Sequence, residues 1–175
     1  YIEHGEVTPN VFNPKSRVLE INSKSGLYPL YVTYSIYRSR LAIEQNSCGV
    51  LSSEQKLALW DMTVKENVFV VCKTTMAKSI TKRTLIGFRN AKVNTRYFED
   101  LINQITNKPQ HFIDKVKNGK TYWKANDNEN MKFNAIVGNP PYQVMDGGNN
   151  ASAKPIYNYF VEIKKKIKPN YMSMI

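Results

Sequence analysis

The sequence predicts an α/β fold of the nucleotide-binding type, and three stretches predict it. A short strand at 17–21 runs through a polar, glycine-ended loop into a long helix. A second apolar run, 67–72, reads as a buried strand. A third, Ala135-Ile136-Val137, is loosened by Gly138 and stopped by a tandem proline. At 175 residues the chain is long enough for one domain with a real core. The expected division is a leading segment, 1–12, and a partial domain over 13–175.

The first element is Gly5-Glu6-Val7-Thr8-Pro9, a polar turn in which the proline holds Thr8 extended. The strand 17–21 follows, then the loop 22–26 and a helix from 27 to about 43. Leu27, Leu30, Tyr31, Tyr34, Tyr37 and Leu41 recur there at helical spacing, with Pro29 in the first turn. With Tyr28, these tyrosines make a packing surface. A second helix opens at Ser52, whose spacing to Gln55 fits a reciprocal cap; Leu57, Trp60 and Val64 give its apolar face. After the strand 67–72 comes a basic helix, 77–88. Ile80, Thr84 and Phe88 lie on one side, and Lys78, Lys82, Arg83 and Arg89 face phosphates or solvent. Val93 marks a third short strand, followed by Glu99 and Asp100. Those acids suit either a ligand or a helix N-terminus. Two helical pieces, 101–106 and 109–116, lead into a polar loop over 118–130 anchored by Trp123. Beyond the proline corner, 145–150 is turn-forming. Pro155 then opens a helix carrying Ile156, Phe160, Ile163 and Ile167. Lys164, Lys165 and Lys166 close it, where cations suit the helix dipole, and 171–175 is the next strand.

Most of the chemistry lies in Asn139-Pro140-Pro141-Tyr142. Tandem prolines cannot continue a sheet ladder, so the carbonyls beside them are free for other partners. The result is a rigid corner at a strand's C-terminal end, carrying a carboxamide, a free carbonyl and an aromatic ring. Open α/β sheets bind their ligands at such ends. The loop 22–26, feeding a helix N-terminus, suits a polar or anionic group.

The tetrapeptide resembles the catalytic motif of amino-directed, S-adenosylmethionine-dependent methyltransferases. More narrowly, it is similar to that of the adenine-specific DNA methylases of restriction-modification systems, in which methylase and nuclease often share one polypeptide. The resemblance implies a Rossmann-like methyltransferase fold, S-adenosylmethionine as cofactor and methylation of adenine N6 in DNA. It makes Asn139, Pro140, Pro141 and Tyr142 the catalytic group. In the family a Gly-Glu-Val-Phe-Thr-Pro segment lines the methionine end of the cofactor, which implicates Thr8 and Pro9. Against the family's Asp-Pro-x-x-Gly-x-Gly loop, Glu20 stands at the Asp and Gly26 at the last Gly, with Asn22 between them. Asp100, or Glu99, matches an acid near the cofactor's adenine. Two positions depart from the pattern. Lys24 occupies the first Gly of the loop, and the strand 67–72 is followed by Lys73 and Thr74 rather than by the acid that holds the ribose. A protein-glutamine N5-methyltransferase uses a similar tetrapeptide. A degenerate, non-catalytic domain that binds DNA or a partner is the third alternative.

The chain starts at Tyr1 and ends in an apolar run, so it is expected to be a piece of a longer polypeptide, inactive alone, with the target-recognition and nuclease regions elsewhere. With 25 Lys+Arg against 14 Asp+Glu, the charge of +11 favours a polyanionic partner, DNA first. No apolar run is long enough to span a membrane, and no signal-peptide layout opens the chain, so a cytoplasmic location is expected. Cys48 and Cys72 are expected to be buried thiols, and His4 and His111 surface residues; none forms a metal pattern.

Overall fold

The computed structural model describes residues 2–3, 6–7, 11–124, 130–145 and 153–174. Thr8, Pro9, residues 125–129 and residues 146–150 lie outside them. Two-residue strands β1 (Ile2–Glu3) and β2 (Glu6–Val7) pair with each other. The body follows as β3 (Val18–Ser23), α1 (Leu27–Cys48), α2 (Ser53–Asn67), β4 (Val68–Cys72), α3 (Thr75–Ile86) and β5 (Asn94–Tyr97). Then come α4 (Leu101–Asn107), α5 (Pro109–Lys117), β6 (Ala135–Gly138), β7 (Gln143–Met145), β8 (Ala153–Pro155), α6 (Tyr157–Ile167) and β9 (Tyr171–Met174).

Five strands form one all-parallel sheet in the order β5-β4-β3-β6-β9, a Rossmann-like α/β arrangement. The chain builds outward from β3 through β4 to β5, then returns to the other side of β3 for β6 and β9. The order therefore reverses between β3 and β6, and a crevice opens there at the strands' C-terminal ends.

Strand alternation sorts the core into two layers. Leu19, Ile21, Phe69, Val71 and Ile136 pack against apolar residues of α4, α5 and α6. Val18, Val68, Val70, Ala135 and Val137 face the opposite way, onto Val32 and Ile36 of α1. Both faces are covered, so the strands read as continuous apolar runs. Asn134 stitches the N-terminal edge: its Oδ1 accepts from Arg17 N–H at 2.8 Å, and its carbonyl accepts from Tyr171 N–H at 3.0 Å.

The reciprocal cap of α2 is present, with Gln55 N–H donating to Ser52 Oγ at 3.2 Å and Ser52 N–H to Gln55 Oε1 at 2.8 Å. Trp123 is fully buried as an anchor, donating from Nε1 to the Val116 carbonyl at 2.7 Å. It closes a π-helical turn, Gly119–Trp123, within the expected polar loop.

The helical faces differ from the expected ones. In α1 the buried arc is Pro29, Val32, Thr33 and Ile36, while Leu27, Tyr31 and Tyr34 are exposed. In α2 Leu59, Thr63 and Val64 are buried and Leu57 is not. In α3 Thr81, Leu85 and Ile86 are buried, Ile80 is exposed, and Phe88 lies past the helix end under the Arg83 guanidinium. One physical cause recurs. Each helix buries a threonine whose hydroxyl has a partner: Thr33 on the Pro29 carbonyl and Thr63 on the Leu59 carbonyl within their own helices, and Thr81 against Ser23 Oγ of β3. A hydrogen-bonded hydroxyl is buried at little cost, and an apolar count passes over it.

Smaller corrections follow. Val93 precedes the third strand, which is Asn94–Tyr97. Asn67 ends α2 rather than opening β4, and its side chain is committed to the Pro14 and Ser16 carbonyls. Pro155 belongs to β8, which hydrogen-bonds to β7 as an antiparallel pair, so Met145 is in a strand and the helix starts at Tyr157. Cys48 is exposed; Cys72 is buried, and burial pushes its thiol up to about 11. Lys164 does not belong to a solvated lysine cluster at the helix end, for it is fully buried.

Candidate functional site

A cavity of about 680 Å³ lies at the C-terminal ends of β3 and β6, where the strand order reverses. That size is ordinary for a small-molecule site, roughly 300–1,000 Å³. Glu20, Asn22, Lys24 and Gly26 come to it from β3 and its loop, Tyr28 and Tyr31 from α1, and Gly138 and Asn139 from the end of β6. Four expected site residues, Glu20, Asn22, Gly26 and Asn139, thus line one cavity, although 119 positions separate the first from the last.

The loop after β3 is shaped by two residues with positive φ. Asn22 has φ 73° and stands at a register shift between Ile21 and Ser23 of the β3–β4 ladder. Asparagine tolerates this left-handed backbone better than most residues. Gly26 has φ 79°, and a Cβ there would stand 2.9 Å from Thr81 Cα. Glycine is thus required both by the turn and by the close approach of α3. Lys24 is exposed and is one of the lining residues.

The opposite wall is the proline corner. Gly138 has φ 155°, and a Cβ would meet the Ile21 carbonyl oxygen at 2.9 Å. Asn139 is exposed, Pro140 buried, Pro141 half-buried, and Tyr142 62% exposed. Asn22 reaches across from the first wall, its Nδ2 donating to the Asn139 backbone carbonyl at 3.3 Å. The backbone of the corner is therefore pinned at a residue that is itself exposed. Beyond it, the Tyr142 carbonyl accepts from Ile156 N–H at 3.0 Å, and the Tyr142 ring stacks on Tyr157 with centroids 5.5 Å apart and planes 8° from parallel.

Beneath the cavity lies a buried pair of opposite charges. Glu20 is 4% exposed and its Oε2 has no hydrogen-bond partner. Burial pushes its carboxyl up to about 7, against a hydrogen bond from Ser23 and the charge of Lys164, which both lower it. Lys164 of α6 is also buried without a partner for Nζ, which stands 3.5 Å from where a Gly138 Cβ would be. Burial holds its amine down at about 8, with the Glu20 charge pulling it up. An orphaned carboxylate oxygen on a cavity wall suits a cationic ligand group, and the rings of Tyr28 and Tyr31 suit an apolar or planar one.

Asp100 does not line this cavity. It caps α4 with φ 50°, and its Oδ2 accepts from Asn103 Nδ2 at 2.6 Å. Arg89 is committed to Asp61 at 2.6 Å, which leaves Lys82 and Arg83 as exposed cations of α3. Among the described residues no cluster of three or more His, Cys, Asp or Glu could hold a metal, and no helix is long and apolar enough to cross a membrane. Sequence reasoning missed Lys164 and Tyr157. The first was hidden in a lysine run. The second was hidden because nothing in the sequence says that 143–145 and 153–155 pair and bring it under Tyr142.

Residues 66–175, which include the proline corner, match the family described as Eco57I restriction-modification methylase. No curated protein matches the chain.

Proposed function

The chain belongs to the Eco57I restriction-modification methylase family, and from that membership we propose that it transfers a methyl group from S-adenosylmethionine to the N6 amino group of adenine in DNA. The observation that supports this most is the meeting of Asn139 and Glu20 on one cavity at the reversal of strand order. It puts a candidate amide acceptor and a candidate partner for a cation on facing walls.

S-adenosylmethionine supplies the methyl group on a sulfonium, activated for displacement. The residues present fit it: the orphaned Glu20 oxygen suits a cationic group, and Tyr28 and Tyr31 give apolar faces. Gly26 lets the loop close on α3. We assign Thr8 and Pro9 to the same cofactor on the family resemblance alone, and leave Asp100 out of it because its carboxylate serves α4.

An exocyclic amino nitrogen is a poor nucleophile because its lone pair is delocalised into the ring. In the proposed mechanism the Asn139 carboxamide oxygen and the Pro140 carbonyl accept hydrogen bonds from its two N–H groups and draw the nitrogen toward tetrahedral geometry. These acceptors are fixed in advance where positive charge develops. Pro141 keeps the corner stiff, and Asn22 holds the Asn139 backbone. A duplex base must be flipped out to reach them, at a cost of a few kcal/mol, of which stacking on Tyr142 offsets about 1–3 kcal/mol. The proton leaves to solvent after transfer, and no strong base is needed.

The charge of +11 supports DNA over a protein glutamine as the substrate. Equilibrium titration with S-adenosylmethionine tests the cofactor half of the proposal; absent binding favours a domain that binds DNA or a partner without reaction. Nucleoside analysis of labelled DNA tests the other half.

A further inference from the structure

Tyr142 is exposed at the proline corner, yet its ring does not stand alone. Tyr157, the first residue of α6, lies against it in an offset stack at 5.5 Å with planes 8° from parallel. Tyr157 is itself half-buried. The backbone is fixed on both sides of this contact: Ile156 N–H donates to the Tyr142 carbonyl at 3.0 Å, and the next residues pair as Gln143 with Pro155. The pairing of β7 with β8 therefore carries the start of α6 under the corner and sets one ring on the other. With one face covered by Tyr157 and the residue still 62% exposed, the open face of Tyr142 is turned outward.

We propose that Tyr157 is a positioning residue for the target base: it backs Tyr142 so that one ring face is held ready for the base, in the layer order Tyr157, Tyr142, base. The proposal rests on the base-methylation reading above. Its physical content is preorganisation. An unsupported exposed tyrosine samples several rotamers and must be ordered when the base arrives, whereas a stacked one is already ordered. Stacking on a π face tolerates any base, so the device contributes affinity and orientation and leaves sequence choice to other parts.

The test is steady-state methyl transfer to unmethylated plasmid DNA by the full polypeptide, as wild type, Tyr157→Phe, Tyr157→Ala and Tyr157→Leu, with the dissociation constant for S-adenosylmethionine measured beside it. Phenylalanine keeps the planar face and should stay within about twofold of wild type. Alanine and leucine should lower kcat/KM for DNA by about three- to tenfold, the cost of ordering one side chain on binding, with cofactor affinity unchanged. Leucine keeps the bulk, so it serves even if the alanine variant does not fold. Wild-type values in both would overturn the proposal alone. So would a loss in Tyr157→Phe equal to that in Tyr157→Leu, or a parallel loss of cofactor affinity, which would mark a general structural role. A wild-type protein that binds S-adenosylmethionine and labels no DNA would overturn the base-methylation reading and the role of the stack with it.

Discussion

Asn22 Nδ2 donates to the backbone carbonyl of Asn139 at 3.3 Å, joining the loop after β3 to the corner after β6 across the point where the strand order reverses. The bond spans 117 positions of sequence and links the two walls of one cavity. The side chain of Asn22 is thus engaged with the corner.

Removing that bond should loosen the corner more than it weakens the cofactor site. Asn22→Gly keeps the left-handed backbone and deletes only the amide. One hydrogen bond of about 0.5–1.5 kcal/mol corresponds to a two- to tenfold fall in kcat. Cofactor affinity should change by less. Saturation kinetics with S-adenosylmethionine checks this; a large rise in its KM at unchanged kcat would make Asn22 a cofactor contact instead.

The Glu20 carboxyl at about 7 sets a pH dependence. A cationic ligand favours the carboxylate, so affinity for S-adenosylmethionine should rise between pH 5.5 and 7.5. The ligand's α-ammonium (about 8) stays charged across that window, and so does Lys164, at about 8. Glu20→Gln should flatten the rise, as read by titration calorimetry at several pH values.

Stability should move the other way. The folded-state value for Glu20 lies above its ordinary 4.5, so from 4.5 to about 7 the native protein keeps a proton that the unfolded chain has lost. Its contribution is present below 4.5 and is lost as pH rises through 7. Lys164 is lowered from 10.5 to about 8; its effect is present above 10.5 and lost as pH falls through 8. Near pH 7.5 both groups therefore destabilise the fold. Glu20→Gln should raise the free energy of urea unfolding at that pH by up to a few kcal/mol, and the midpoint with it, and should lose the advantage at pH 5.

Two glycines share a φ of 79° but differ in ψ, which is 13° at Gly26 and −147° at Gly49. At Gly26 a Cβ would meet Thr81 Cα at 2.9 Å; at Gly49 it would meet nothing within 4 Å. Gly49 lies in a region that is essentially reserved for glycine, so Gly49→Ala should cost about 1–3 kcal/mol from backbone strain alone. Gly26→Ala should cost about 1–2 kcal/mol from the left-handed backbone and about 1–3 kcal/mol from overpacking against Thr81. Thermal melts of the two variants give the comparison directly.

The middle of the sheet was legible because β4 and β6 are apolar runs buried on both faces, and the start of α2 because Ser52 with Gln55 follows a known capping rule. Buried faces were less legible, since Thr33, Thr63 and Thr81 stand where an apolar pattern expects leucine or valine. Within the site, Glu20, Asn22, Gly26 and Asn139 could be named from motif positions, and at Asn22 and Gly26 a positive φ also constrains the residue type. Lys164 and Tyr157 could not. Their roles come from α6 packing under β6 and from the β7–β8 pairing, and no local residue pattern encodes either.

The most direct test of the central claim is transfer of labelled methyl groups from S-adenosylmethionine to unmethylated DNA by the full polypeptide, with Asn139→Ala beside it and the product digested to nucleosides. Wild type should place the label in N6-methyladenine. Asn139→Ala should lose at least about a hundredfold in rate, the usual loss for a preorganised electrostatic partner of the reacting atom, and keep its cofactor affinity. Label in another nucleoside or in protein, or full activity in Asn139→Ala, would contradict the account.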